Sequence, residues 1–327
     1  MYYPAGNTTG TSTIAHLATV YYDRLSLKTV RKNFKFWELV DDKVLPLKNG
    51  KTIQFYRYSN FGANTTAAPE GNVGTSLQLT TTTVSATVSQ YTDFISLSDL
   101  LMDTAIDGDI LARAADQLGY RGGLTFDTIV RNEIDSIAAS IDVALLGDYF
   151  SGSDLANVRA RLAGLDVRPK DGSYFVGIIS PYITYDFKRD PSVGGFLDVA
   201  KQTAQSPGNN RIITLEDRGW VADFESVRLY ESNNVTVTAG SPNTYRCYFG
   251  GEEALAAIDL AGRGPTRTPD QDKMKFKVNV MRTKMSEANP TGQIGGIASY
   301  NVVFAAKNLD TNPYRLRKID APTSLGL

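Results

Sequence analysis

The 327-residue sequence has one cysteine, Cys247, and one histidine, His16. A lone cysteine excludes an internal disulfide and fits assembly in a reducing cytoplasm. The same scarcity excludes the common Cys/His zinc sites unless carboxylates dominate. His16 adjoins a Gly/Thr/Asn-rich opening stretch, residues 1–13, which offers no rigid support for a Ser-His-Asp or Cys-His arrangement. Cys247 lies between Arg246 and Tyr248 in a strand-like run, the setting of a small buried hydrophobe rather than an activated thiolate. Long apolar runs are also missing. Tyr174–Ile179 falls far short of the roughly 18–20 residues a membrane helix needs. The opening residues lack the basic and apolar regions of a signal peptide, so no membrane association or export is expected. The Asn-x-Thr triplets at Asn7, Asn64 and Asn234 then read as chance matches.

An excess of either charge is absent: 34 basic side chains face 35 acidic ones, for a net charge of −1. A dedicated nucleic-acid binder carries a clear basic excess, so contact with nucleic acid would have to come from local patches. Cofactor motifs fail on inspection, and no cofactor or metal is expected. Gly50-Lys51-Thr52 resembles the end of a phosphate loop, but the required upstream glycine is Leu45 and a strand follows. Asp99, Asp103, Asp107 and Asp109 lack calcium-loop spacing and fit helix caps and first-turn acids. A converging acid/base pair of carboxylates stays open, because sequence singles out no pair.

What is present is an ordinary globular mix, 42% hydrophobic and 21% charged. The length suits about two domains at about 150 residues each. A helical pattern runs from Ser12 or Thr13 to about Trp37, and Arg24, Lys28, Arg31 and Lys35 align along it as one basic stripe. The stripe is either a solvated face or an inward arm meeting DNA phosphates without reading sequence. A long helix is expected over about 109–146, with Gly122-Gly123 marking a kink or a close contact. Ser153 is expected to cap a helix from Asp154 to about Ala163. Tyr174–Ile179 reads as a buried strand, and Pro181–Lys188 and Phe196–Gln205 as helices. Arg211–Cys247 is mostly strand, Ser299–Ala305 closes the fold, and Leu316–Leu327 is a short tail. Dispersed strands around one long helix make the class α+β.

The most informative segment follows the Asn49-Gly50 turn. Lys51–Tyr58 alternates like a strand, residues 59–75 form a Gly/Ala/Asn/Thr loop, and Leu77–Tyr91 returns as a second strand. No charged residue lies between Glu70 and Asp93. Lone monomers guard such strand edges with lysine or proline. The hairpin either folds into its own sheet or reaches onto a neighbouring subunit, and the second reading is favoured.

The order of these features resembles the HK97-type major capsid proteins of tailed bacteriophages, especially the family of N-four-like podophages. The matching residues include Tyr21-Tyr22-Asp23-Arg24-Leu25, Gly50-Lys51-Thr52-Ile53 through Arg57-Tyr58-Ser59, Glu70-Gly71, Gln90-Tyr91 through Leu97-Ser98-Asp99-Leu100, Leu124-Thr125-Phe126-Asp127, Phe175–Pro181 into Tyr185-Asp186, and Phe224-Glu225-Ser226-Val227-Arg228. Together they cover nearly the full chain. The resemblance implies an N-terminal arm at 1–45, an extended E-loop over an adjacent subunit at 46–92, and an axial domain at 166–265. It implies a peripheral domain at 93–165 and 266–327 that carries the long spine helix. The expected intersubunit residues of the E-loop are Phe61, Asn64, Thr65, Glu70, Leu77 and Leu79, and Arg24, Lys28, Arg31 and Lys35 would face DNA. The implied function is non-catalytic self-assembly into hexamers and pentamers of an icosahedral head around double-stranded DNA. Partners would be scaffolding, portal and cement proteins, with non-specific contact to packaged DNA and assembly in the host bacterial cytoplasm. One departure stands out: no lysine lies between Lys51 and Lys170, so the loop proper, beyond Lys51, cannot supply the lysine that cross-links some shells of this type.

Two other functions fit less well. An encapsulin-like nanocompartment shell shares the expected fold and would have a cargo-enzyme gene nearby, where a phage would have portal and terminase genes. A soluble carboxylate-dependent hydrolase would elute as a small oligomer.

Overall fold

In the computed structural model, residues 34–67, 70–71, 74, 76–105, 109–137, 141–170, 172–190, 220–264, 266–268, 273–275, 278–282, 289–310 and 314–325 are described. Most of the expected arm, His16, the Phe196–Gln205 helix and the start of the strand run at Arg211 lie outside them.

The described chain opens with a single 3-10 turn, Phe36–Leu39, and β1 (Val40–Leu45). Phe36, Trp37, Leu39 and Val40 are all buried, so this stretch has no polar face to give a surface helix, and the expected helix does not continue through Trp37. Next come β2 (Thr52–Tyr58), β3 (Thr81–Thr87), β4 (Ser89–Ser98) and α1 (Asp99–Thr104), which is capped by Ser98 Oγ accepting the Leu101 N–H. Then follow α2 (Ile110–Asp135), α3 (Gly152–Ala163), β5 (Phe175–Ile179) and α4 (Pro181–Arg189). The remaining strands are β6 (Trp220–Phe224), β7 (Val227–Glu231), β8 (Val237–Thr238), β9 (Thr244–Gly250), β10 (Leu255–Leu260), β11 (Thr266–Thr268), β12 (Lys273–Lys275), β13 (Val278–Arg282), β14 (Ile294–Asn308) and β15 (Leu316–Pro322).

Two sheets organise the core. In the first, the 15-residue strand β14 is central: β4 pairs along it, β13 pairs its first half, and β10 pairs its end and carries β1 in parallel. Strand alternation assigns its two faces. Ala298, Tyr300, Val302 and Phe304 belong to the main core with Leu118, Phe126 and Val130 of α2. Val303 and Ala305 point the other way, into a small second core. The second sheet runs β15–β9–β5–β7–β6, with β8 on β9 and β5 buried along its whole length.

The sheets cut across the expected segments. β10 lies within 166–265 yet pairs into the first sheet, and β15 lies within 266–327 yet completes the second. Leu316–Pro322 is thus a full strand, registered from Leu316 opposite Gly250 to Pro322 opposite Thr244, not part of a tail. Charge hides it in the sequence. Arg317 and Lys318 are buried, with the Lys318 ammonium donating to the Ile137 carbonyl at 3.1 Å and lying 3.3 Å from Asp142.

α2 has 26 residues, about 39 Å at about 1.5 Å per residue, and stops short of the expected end near 146. Its last carboxylate, Asp135, is held by the Arg246 guanidinium and the Tyr248 and Thr236 hydroxyls of the second sheet. Ile141 and Val143 are buried all the same, so apolar periodicity persists after the helix has ended. The glycine pair does not interrupt the helix. A Cβ on Gly123 would lie 2.8 Å from the Phe34 ring, so this glycine serves a close contact. The next helix starts earlier than expected. Ser151, not Ser153, takes the cap position, and the Asp154 carboxylate accepts its N–H at 2.9 Å.

Candidate intersubunit surface

β2 and β3 form a two-stranded antiparallel ribbon, registered from Thr52 opposite Thr87 to Tyr58 opposite Thr81. Neither strand pairs with any other described strand. The expected second arm, Leu77–Tyr91, divides at Val88: β3 stays with the ribbon, while β4 joins the first sheet. Val88 itself is buried, and its N–H donates to the Lys51 carbonyl to close the ribbon's base.

Alternation gives the ribbon two unlike faces. Ile53, Phe55, Ala86 and Val88 turn inward onto Leu45, Ala256, Ile258, Val303 and Leu309. The opposite face carries Gln54, Tyr56, Tyr58, Thr81, Thr83 and Ser85, all exposed and none charged. Tyr56 and Tyr58 are 66% and 60% exposed, with rings 6.3 Å apart at 81°. Toward the tip, Leu77 and Leu79 are 69% and 59% exposed. Phe61, Asn64, Thr65 and Glu70 are exposed as well, and Asn64 Oδ1 accepts the Thr66 N–H at 3.1 Å. An isolated two-stranded ribbon is marginal in water, and this one adds open edges and a run of exposed apolar side chains. Reading the sequence did not single out Tyr56 and Tyr58, although the in-out alternation from Ile53 to Tyr58 carried the signal.

The one charged side chain on either ribbon strand is Arg57, on the inward face. Its Nη1 lies 2.9 Å from Asp310 Oδ1, and its Nη2 donates to the Glu253 carbonyl at 3.1 Å.

Arg24, Lys28 and Arg31 of the basic stripe lie outside the described residues. Lys35 is 4% exposed, with its ammonium 5.3 Å from the Tyr230 ring centroid. It packs into the fold and is not a solvent-facing member of a DNA-facing stripe, because the chain around it is core. Cys247 is wholly buried, and burial pushes its thiol up, away from thiolate chemistry.

Among the described residues two carboxyls are raised, that of Asp310 by burial and that of Asp259 to about 7, first by burial and then by the Asp42 carboxylate. Asp259 Oδ1 is sealed without a hydrogen-bond partner, and a Cβ on Gly264 would lie 2.3 Å from its carboxyl carbon. Packing therefore closes off this one oxygen, while the residue as a whole is half-buried. The shift has a consequence for stability. A carboxyl raised above its unfolded value of about 3.9 favours the fold while protonated, a benefit complete below about pH 4 and lost as pH rises through about 7. Asp259→Asn is expected to stabilise the subunit by about 1–2 kcal/mol at pH 8 and to change little near pH 4. Urea denaturation at the two pH values checks this, and an equal effect at both contradicts it.

No protein-family model and no curated protein matches the sequence. The fold, in contrast, recurs among solved structures. It is similar to the capsid of Ralstonia phage GP4, with 12% identity and a TM-score of 0.65 over 98% of this chain and 99% of that one. The acid-stable capsid of Helicobacter pylori bacteriophage KHP30 matches at 8% identity and a TM-score of 0.65, over 98% and 99%. The SrpI encapsulin of Synechococcus elongatus matches at 11% identity and a TM-score of 0.57, over 97% of each chain. The chain has the α+β fold of HK97-type shell proteins.

Proposed function

We propose that this chain is the major capsid protein of a tailed bacteriophage, a non-enzymatic subunit forming the hexamers and pentamers of an icosahedral head around double-stranded DNA. The observation that carries the reading is the uncharged outward ribbon face, where Tyr56 and Tyr58 stand open beside unpaired strand edges. A second copy of the chain covers that face at no cost in buried charge, and repetition by symmetry closes the shell. The fold it shares with phage capsids supports the same conclusion.

In this reading the E-loop expected over 46–92 ends at Val88, where β4 begins its pairing in the first sheet, and Phe61, Asn64, Thr65, Glu70, Leu77 and Leu79 lie at the contact with a neighbour. The first sheet with α2 is the peripheral domain, and the second sheet is the axial domain. The subgroup is that of the N-four-like podophages. Assembly takes place in the host bacterial cytoplasm with scaffolding, portal and cement proteins. Arg24, Lys28 and Arg31 make non-specific contact with packaged DNA. Negative-stain electron microscopy of the purified protein tests the function: capsomers, sheets or particles far wider than one subunit are expected, and a uniform small oligomer contradicts it.

The likeness to an encapsulin supports a second reading, a cellular nanocompartment shell. Neighbouring genes separate the two, portal and terminase genes for a phage and a cargo-enzyme gene for a compartment.

A non-covalent shell follows from the absence of lysine between Lys51 and Lys170. Particles boiled in SDS are expected to run as monomer, and a ladder of covalent oligomers contradicts this.

A further inference from the structure

The ribbon is attached to the body in two ways. Its apolar foot, Ile53, Phe55, Ala86 and Val88, rests on the small second core, and such contact is non-directional. Its second attachment is directional. Besides the bonds already described, Arg57 Nη2 lies 3.6 Å from Glu253 Oε2. Arg315 grips the same two acids: Nη1 lies 2.9 Å from Glu253 Oε2 and Nε 3.7 Å from Asp310 Oδ2. Asp41 of β1 extends the cluster by accepting the Glu253 N–H at 2.6 Å. It also lies 3.7 Å from the Lys170 ammonium, just ahead of β5.

The placement of these charges in the chain is the telling feature. Glu253 sits in the turn by which the chain passes from β9 of the second sheet to β10 of the first. Asp310 and Arg315 lie between β14 of the first sheet and β15 of the second. Two of the crossings between the sheets, β9 to β10 and β14 to β15, therefore meet beneath the loop-side end of the ribbon's paired strands. The Asp310 side chain is 9% exposed and that of Arg57 30% exposed, so this pair is shielded enough for its geometry to matter.

We propose that Arg57 is a positioning residue that couples the inclination of the ribbon to the angle between the two sheets, through the acids it shares with Arg315. A change in sheet angle moves Asp310 and Glu253, and the ribbon follows on its apolar foot. The coupling is a property of the single subunit. It rests on the shell reading only for its consequence, that identical copies in hexamers and pentamers need adjustable contacts.

The test uses full-length subunit before assembly, with spin labels on introduced cysteines, because Cys247 is buried. Labels at Thr83→Cys and Asn301→Cys report the ribbon against the first sheet, and Thr83→Cys with Thr238→Cys reports it against the second; all three positions are exposed. Arg57→Met is expected to roughly double the width of both distance distributions, with Arg57→Lys in between. Arg315→Met is decisive, since among the described residues the ion pairs of Arg315 go to the acids shared with Arg57 and none goes to the ribbon. It is expected to broaden the same distributions, and the double variant no further than the wider single one. Circular dichroism establishes that each variant is folded. Unchanged distances in folded Arg315→Met overturn the coupling, as do additive effects in the double variant. Absence of particles from wild-type protein would count against the shell reading alone and leave the distance result standing.

Discussion

Replacing Tyr56 and Tyr58 together by serine leaves a folded subunit that no longer assembles into particles. Both rings stand on the outward face of the ribbon, apart from the apolar foot that seats it. Within the subunit the change removes one ring pair and some strand preference, a loss of about 1 kcal/mol. At an interface the balance is different. Tyrosines buried between partners commonly contribute about 2 kcal/mol or more each, and every subunit of a closed shell repeats the loss. Thermal melting of the unassembled subunit checks the first half of this expectation, and sedimentation velocity checks the second. Wild-type yields of particles from the double variant contradict it.

Phe126→Ala is expected to have the largest effect on the subunit itself, a loss of about 3–5 kcal/mol. Phe126 is fully buried on α2, with its ring centroid 4.8 Å from both Trp37 and Phe304. It joins the turn before β1, the long helix and the central strand of the first sheet, so truncation opens a cavity where three elements meet. Its neighbour adds rigidity that resists collapse into that space: Asp127 accepts the Phe36 N–H at 3.0 Å and the Asn234 side-chain amide at 2.8 Å. Against a total stability of about 5–15 kcal/mol, the variant stands close to unfolding. Urea denaturation of the unassembled subunit measures the loss, and a change below about 1 kcal/mol contradicts this account of the core.

Where one physical signal dominated, the fold was legible in the sequence. The run Phe175–Ile179 has no polar break and is a buried central strand. The spacing along Ile110–Ile134 matches a helix over one sheet face. Pro181 after Ser180 marks the first turn of α4. The ribbon was legible from its alternation and its missing charge, and Phe61, Asn64, Thr65, Glu70, Leu77 and Leu79 are all exposed on it. Boundaries were lost where one pattern serves two partners. Residues 81–98 keep extended backbone through Val88, and only the tertiary fold assigns β3 to the ribbon and β4 to the first sheet. Charged residues misled for a related reason. Lys35 was placed in a basic stripe and Lys318 in a short tail, yet each buries its aliphatic stem and sets its ammonium near a ring or a carbonyl. The cluster around Arg57 had no local signature, because its members come together across 196 residues at Glu253 and farther at Asp310.

The central claim is that the outward ribbon face is completed by another copy of the chain. A cryo-electron microscopy map of assembled particles, at a resolution that shows side chains, tests it most directly. The expected density has Tyr56 and Tyr58 of each subunit seated against a neighbouring subunit. Rings left open to solvent in every copy, with the ribbon touching only its own body, would contradict it.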